Sequence, residues 1–522
     1  MKVNPLSKKR KSLLALGMLV AMVMPHPESL VWAEANLTSN PPVAAGKWTL
    51  KSYIQQVLNA NHTVASQQMS EQIAMEGVNQ AKGAFEPVAK MNVQRSSIRQ
   101  KNTAEEDLVR QNLGIYSRKN SGYDIGGSAL IPTGATIEAK LGVDAIDSNL
   151  QAIANRPREF KSFYDLSVTQ PLLRDAGVDI TMAKTRIAEK DAAVAGLSTL
   201  EVNTSVVSSA ISAYLDLRMA QERQRIWEEG LRTAEGLVKE ARLLDKQGRL
   251  SETALIDVEN GLILYQVGVS EARQQVEEAM GKARTLLMVT AQDSLPPLTA
   301  SDPLPKVDKK VVSFQESMQT ALTQRADYRS RLVAMEREGI RIAYAENQTL
   351  PRIDLVASYG INGLEYNGNK VYSALENDDF PTWKVGVQMS TPIMGNEAAN
   401  AQLRVARLNK AKALLEAQGL ETSMANDITT ALSAMENSRQ RWEMYQQLLK
   451  AGSKQLTMEK QLLAAGRSDR RNVLSREESM VRNRVSLAEQ AVAYVKAKVA
   501  LEVARGTLLA NFTDLSSDRE KQ

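Results

Sequence analysis

Histidine occurs only twice in this chain of 522 residues, and cysteine not at all. Disulfides, zinc-thiolate sites and a lipid-bearing N-terminal cysteine are therefore excluded. His26 stands in the N-terminal segment and His62 reads as a plain helix-surface residue, so no Ser-His-Asp triad beside a His-rich metal site can be assembled. Ser, Asp and Glu are abundant but lack a base or metal partner, and no Gly-rich phosphate loop occurs. No catalytic, cofactor or metal residue is assigned, and the methionines at helical spacing read as core filling. What remains is the chemistry of fixed charge. Arg467, Arg470 and Arg471 gather within about one helical turn of Gly466, beside Asp469, Asn472, Glu477 and Glu478. Such a cluster either tunes an electrostatic equilibrium or pairs on a solvated face. A second set, Glu138, Lys140, Asp144, Lys384 and Gln388, falls on alternate residues of strand-like segments, where it would line a water-filled lumen.

The elements that carry these residues follow from pattern. Aromatics are 5% and charged residues 24% of the chain, which suits long helices better than a compact enzyme core. Lys8, Lys9, Arg10 and Lys11 precede an apolar run from Ser12 to Met24, then Pro25, Pro27 and small residues up to Ala35. Residues 1–35 thus read as a secretory signal, cleaved after Ala33 or Ala35, since about thirteen apolar residues are too few to span a bilayer as a helix. The signal holds five of the 65 basic and two of the 60 acidic residues, so the remainder carries a net charge of only +2. Nothing in that balance argues for nucleic acid.

Residues 36–46 read as an extended leader. A helix is expected from Trp48 to about Ala84, strands within 88–173, a helix of roughly seventy residues to about Gln247, and a helix from Ser251 to Ala291. A Pro-rich linker, 295–310, precedes the same order again: a helix from Val311 to Asn347, strands within 352–391, a helix of roughly seventy residues to Ala465, a last helix to about Ala510, and a tail, 511–522. The chain is accordingly divided into two repeats, 47–294 and 311–510. Within the strands, Ala135, Ile137, Ala139, Leu141 and Val143 alternate with Thr136, Glu138, Lys140, Gly142 and Asp144, and Ile131-Pro132-Thr133-Gly134 is a hairpin turn. The first repeat holds about forty more residues between its prolines, room for one additional hairpin near 121–146. Its place inside or outside a barrel is left open.

Helix length sets the next expectation. Seventy residues span roughly 105 Å, so the shorter helices must stack in pairs to match each long one. Val258, Leu262, Tyr265, Val269, Ala272, Val276, Ala279 and Ala283 follow heptad spacing, as do Val481, Val485, Ala488, Val492, Val495 and Val499. A second stripe on the last helix, Leu487, Ala491, Tyr494, Leu501 and Leu508, calls for two neighbours, as in a wall of helices. Strands of about nine to eleven residues with one apolar face match membrane-spanning β-strands, and aromatics concentrate in the two strand regions. Four to six strands are too few to close even the smallest barrel, of about eight, so several copies must share one.

Four short segments carry a resemblance: Gln170-Pro171-Leu172-Leu173-Arg174-Asp175-Ala176-Gly177 and Ser390-Thr391-Pro392-Ile393 at the strand-to-helix passages, and Gln247-Gly248-Arg249-Leu250-Ser251 and Ala465-Gly466-Arg467-Ser468 at the turns. In this order and twice over, they make the chain resemble the TolC-type outer-membrane efflux channels over essentially the whole exported length. The resemblance implies an α+β membrane protein: a homotrimer with long antiparallel coiled-coil helices forming a periplasmic helical barrel, and a β-barrel contributed jointly in the outer membrane of a Gram-negative cell. It implies a passive conduit of a tripartite efflux or type I secretion system, not an enzyme. Its partners would be a periplasmic adaptor (membrane fusion) protein, an inner-membrane transporter and outer-membrane lipid. Gly248, Arg249, Leu250, Ser251, Gly466, Arg467 and Ser468 would form the tip that meets the adaptor; Asp469, Arg470, Arg471 and Asn472 are aperture candidates; Pro171 and Pro392 mark the passages. Some members place an Asp six residues beyond each turn glycine, where this chain has Ala254 and Asn472. The alternative is a non-channel periplasmic coiled-coil scaffold of the envelope.

Overall fold

The computed structural model describes residues 46–110, 112–288, 298–308, 312–376 and 380–511. The expected signal, nearly all of the leader, parts of the linker and the tail beyond residue 511 lie outside the described residues. Helices α1 (Leu50–Ala60) and α2 (His62–Lys82) lead from strand β1 (Gly46–Trp48) into β2 (Val88–Lys101). A short α3 (Ala104–Val109) connects to β3 (Ile115–Leu130) and β4 (Thr136–Ser148), and α4 (Asn149–Ile153) to β5 (Glu159–Pro171). The short α5 (Val178–Thr181) precedes α6 (Ala183–Lys246) and α7 (Glu252–Leu286). The second repeat follows β6 (Leu298–Ala300) with α8 (Phe314–Gln324), α9 (Ala326–Gln348), β7 (Arg352–Glu365), β8 (Pro381–Ser390), α10 (Glu397–Ala464) and α11 (Arg470–Arg505).

The last helix, expected to reach about Ala510, ends at Arg505 where Gly506 turns left-handed, and the helix expected after Pro171 is divided at Met182. Two further helices expected to be continuous are broken by packing. Asn61 ends α1 and caps α2, its carboxamide oxygen accepting from Thr63 N at 2.9 Å, and Arg325 separates α8 from α9. The cause is tertiary, because each break is where a second short helix abuts. Tyr53 donates to Ala283 O at 2.9 Å near the end of α7, and Gly506, which ends α11, packs against the Arg325 backbone. The long α6, of 64 residues, therefore runs beside α2 over one part of its length and α7 over the other, and α10, of 68, beside α9 and α11. At about 1.5 Å per residue each long helix is close to 100 Å.

The linker is also more than a connection. Its β6 pairs in parallel with β1, and Leu298 and Ala300 are buried in the core of the first repeat. Tyr214 of α6 holds this junction, donating to Trp48 O at 2.8 Å and to Asp302 at 2.9 Å, and burial pushes its phenol up to about 12. Both stripes of α11 find neighbours: Val481, Val485, Ala488 and Val492 join the first core, while Tyr494 and Leu501 join a second with Met424, Ile428 and Ala431 of α10; Leu508, expected on the second stripe, lies beyond the end of α11 and joins the first core instead. One helix thus cements the two repeats, each apolar stripe facing a different partner.

The remaining strands form one antiparallel sheet in the order β2-β3-β4-β5-β7-β8. The additional hairpin of the first repeat is part of it, so four strands come from the first repeat and two from the second. They run from 10 to 16 residues, longer than expected at one end.

Candidate functional site

The α6–α7 and α10–α11 turns share one construction. Gly248 and Gly466 take φ of 67° and 68°, the left-handed conformation that costs an L side chain about 1–2 kcal/mol. In each, the residue after the glycine returns its N–H five residues back, Arg249 to Leu244 O and Arg467 to Leu462 O, both at 2.9 Å. A capping side chain then starts the next helix: Ser251 accepts from Ala254 N at 3.3 Å and Asp469 from Asn472 N at 2.8 Å. Leu250 packs on the first core. The two turns lie at the same end of the wall, since Leu474 of α11 is the neighbour of Gly261 on α7, and Arg471 reaches Asp257 on α7 at 3.4 Å.

That last pair corrects the expected charge scheme. Asp469 is occupied as a helix cap, Glu477 pairs with Lys460 at 2.6 Å, and Glu478 with Arg482. Ser468 donates to Glu459. Among the described residues neither Arg467 nor Arg470 has a carboxylate within ion-pair distance, and Arg470 Nε is buried without a hydrogen-bond partner. Asp257 and Lys460 were not foreseen; 214 residues separate Asp257 from Arg471, and no spacing rule links them. Farther along the wall Arg484 meets Glu229 at 2.8 Å, holding that carboxyl below its usual range.

At the other end, the passages from strand to helix converge on the end of α9. Past Pro171, Leu172 N donates to Ile353 O at 2.7 Å and Asp175 N to Asn347 Oδ1 at 2.8 Å. Past Pro392, Asn396 Nδ2 donates to Gln348 O at 3.1 Å. The β3–β4 turn joins them, Gly177 N donating to Thr133 O at 3.1 Å. This helix-proximal end of the sheet has the one short turn, while the three longer connections, β2–β3, β4–β5 and β7–β8, lie at the distal end.

Cross-strand register separates two faces. One row runs Ala89, Gly127, Ala139, Leu166, Tyr359, Trp383 and the row two residues farther out Met91, Ile125, Leu141, Tyr164, Ile361, Pro381. Between them, on the opposite face, lies Lys90, Gly126, Lys140, Asp165, Gly360, Thr382, and one step nearer the helices the opposite face carries Glu138, Ser358 and Lys384. Lys140 and Glu138 pair at 3.1 Å. Glu138, Lys140, Asp144, Lys384 and Gln388 all fall on this polar face, as their parity predicted. The apolar face extends from Ile353 to Tyr123 and Val143, about the eleven residues that cross a bilayer, and beyond it Arg95, Lys119 and Asp147 take over. Among the described residues no helix is long and apolar enough to cross a membrane.

Residues 317–507 match the outer membrane efflux protein family. No curated protein matches the chain by sequence. Among solved structures the fold is that of the CmeC outer membrane channel of Campylobacter jejuni, with TM-score 0.60 at 15% identity, covering 90% of this chain and 89% of that one. It is equally similar to the MtrE outer membrane channel of Neisseria gonorrhoeae in its open state, with TM-score 0.59 at 16% identity over 88% and 89%. The outer membrane protein VceC of Vibrio cholerae gives 0.58 at 13% over 88% and 96%. The chain thus has the fold of solved outer-membrane channels over most of its length, and residues 317–507 match the outer membrane efflux protein family in sequence.

Proposed function

We propose that the chain is the outer-membrane channel of a tripartite efflux or type I secretion system, a passive conduit from periplasm to exterior. The observation that carries this reading is the direct attachment of a two-faced sheet, apolar on one side and polar on the other, to helices about 100 Å long that end in paired Gly turns. Such a chain sets a membrane-embedded end and a distant mouth in one rigid piece.

A homotrimer is supported by what a single copy leaves uncovered. Both edge strands, β2 and β8, are exposed throughout apart from the half-buried Gly386, and unpaired backbone cannot face lipid. Apolar side chains also stand exposed on the flanking helices, Ile263, Leu264 and Val267 on α7 and Leu408, Leu415 and Leu448 on α10, where a neighbouring copy would continue the wall. The tips at Gly248–Ser251 and Gly466–Ser468 are the proposed contact with a periplasmic adaptor, which would join them to an inner-membrane transporter. Asp469, Arg470, Arg471 and Asn472 border the proposed aperture. Without cysteine, the anchor is the barrel rather than a lipid.

The test is mass measurement in detergent with reconstitution into a planar bilayer. A detergent-dependent trimer that conducts ions is expected. A water-soluble protein without conductance would leave the periplasmic scaffold in its place.

A further inference from the structure

The proximal ends of the six strands form a regular staircase. β8 and β7 reach lowest, at Ser390 and Arg352, which are register partners. β5 ends two residues higher, with Pro171 opposite Asp354. The β3–β4 turn is two higher again, because Leu130 faces Thr136, Thr136 faces Thr169 and Thr169 faces Val356. β2 begins two above that, Val88 lying on the row of Ser128, Glu138, Ser167, Ser358 and Lys384. The hairpin β3–β4 occupies its own step, neither raised above the others nor folded away.

We infer that three copies close, β8 of one against β2 of the next, into a barrel of eighteen strands in which the additional hairpin is part of the wall. The inference rests on the trimeric reading above and adds the strand count. Three structural facts carry it. First, six is an even number, so β8 and the neighbouring β2 run antiparallel and the alternation continues unbroken around the ring. Second, levelling Val88 with the neighbour's Ser390 gives a stagger of six residues per copy, one per strand. With about 3.3 Å per residue and about 4.8 Å between strands, the tilt is about 35°, within the range of closed barrels. Third, the same apolar face continues to both edges: Met91 and Val93 are 68% and 70% exposed on β2, Val385 and Val387 64% and 67% on β8. The levelled register sets Met91 beside Val387 and Val93 beside Val385, and on the lumen face Lys90 beside Gln388.

Eighteen strands at that tilt enclose a backbone cylinder about 34 Å across, against about 23 Å for twelve. The lumen is then of the class that holds an open aqueous channel. Glycines keep its concave side clear, since a Cβ at Gly126 would lie 2.5 Å from Ala139 O and one at Gly360 2.9 Å from Tyr164 O. Size selection therefore falls to the helix tips, and the barrel itself admits solutes of porin size or larger.

The absence of cysteine makes the test direct. Met91→Cys is combined in one chain with Val385→Cys, Val387→Cys or Met389→Cys, so that one pair matches the register within two residues. Within a copy these positions lie across the whole sheet, roughly 24 Å apart, too far for a disulfide. Oxidation in membranes should shift most of the protein to a covalent trimer on a non-reducing denaturing gel. A second set pairs Ile137→Cys or Leu141→Cys with Val387→Cys, which meet only if the ring closes at β4 with twelve strands. Cross-linking by the second set alone overturns the eighteen-strand ring and keeps the trimer. A detergent-solubilised monomer in all variants overturns both. Should the variants fail to assemble, strand counting in an electron-microscopy map of the unsubstituted trimer decides, and twelve would refute the inference.

Discussion

The two repeats differ most where they are least alike in length. Their long helices hold 64 and 68 residues and their tip turns share the same hydrogen bonds, yet the first supplies four strands and the second two. Their cores differ as well. The first gathers residues from both ends of the chain, including Ile54, Val207, Tyr265 and Leu508, whereas the second is a smaller cluster around Met424, Ile428 and Tyr494. The contrast teaches which dimension is fixed. A helix must reach from sheet to tip, so its length is set by the span, while a sheet accepts another hairpin without disturbing either end.

The sharpest break of this symmetry is at Gly506. It takes φ of 74°, like Gly248 and Gly466, but a Cβ there would lie 2.7 Å from the Arg325 backbone, whereas at the two tips it meets open space. Gly506→Ala should cost at least about 3 kcal/mol through strain and overpacking together, and Gly248→Ala about 1–2 kcal/mol. Thermal unfolding of the detergent-solubilised protein checks this, and equal losses would deny that the α8–α9 break is held by the end of α11.

The sheet offers the next comparison. Arg in place of Val385, from the second repeat, or Ile137, from the first, should each cost about 2–4 kcal/mol near the bilayer midplane, with a mild effect for Gln388→Arg on the polar face. Refolding into lipid vesicles measures it. A harmless Ile137→Arg would place the strands of the first repeat outside the membrane.

Acid should move the repeats in opposite directions. In the first, burial of Glu222 opposes ionisation, but Arg225 and Arg218, at ion-pair distance, outweigh it and hold the carboxyl below its usual range. That stability is present above the unfolded value and lost as pH falls through the folded one. In the second, burial raises Glu502, with Lys498 only partly offsetting it. Its contribution is complete below the unfolded value and lost as pH rises through the folded one. Glu222→Gln should therefore cost about 1–3 kcal/mol near neutrality and little below pH about 4, while Glu502→Gln should stabilise by up to about 1 kcal/mol near neutrality only. Unfolding midpoints across pH that move together would refute the assignment.

The smallest effect belongs to the tips. Arg471 and Asp257 are 72% and 45% exposed, so their pair is worth about 0–1 kcal/mol in one copy. Repeated three times it would bias a closed-to-open equilibrium. Replacing both Arg470 and Arg471 by Ser should raise single-channel conductance and shift ion preference toward cations. Unchanged conductance and selectivity would return these arginines to a solvated face.

How far the sequence disclosed this structure depended on how local each cause is. The tip turns were legible because a Gly followed within three residues by Ser251 or Asp469 specifies stop and start by itself. The faces of the sheet were legible from a period of two. The breaks at Asn61 and Arg325 were not, since neither carries a proline or glycine and the reason for each is a helix end arriving from far along the chain. Asn61-His62-Thr63 does contain a capping signal, lost within an otherwise helical pattern. The β1–β6 pair joins Trp48 to Ala300, and the Arg471–Asp257 contact joins the two repeats; both are set by tertiary approach.

The double stripe of α11 has a consequence for how such a chain can change over generations. Each side of that helix is committed to a different core, so inserting or deleting one residue turns everything beyond it by about 100° and withdraws both sides at once, whereas a change of seven turns it by only about 20°. Strands, joined in hairpins, can be gained or lost only in twos if the ends are to stay where they are. Length variation in this molecule is therefore quantised, in sevens along the wall and in pairs around the sheet.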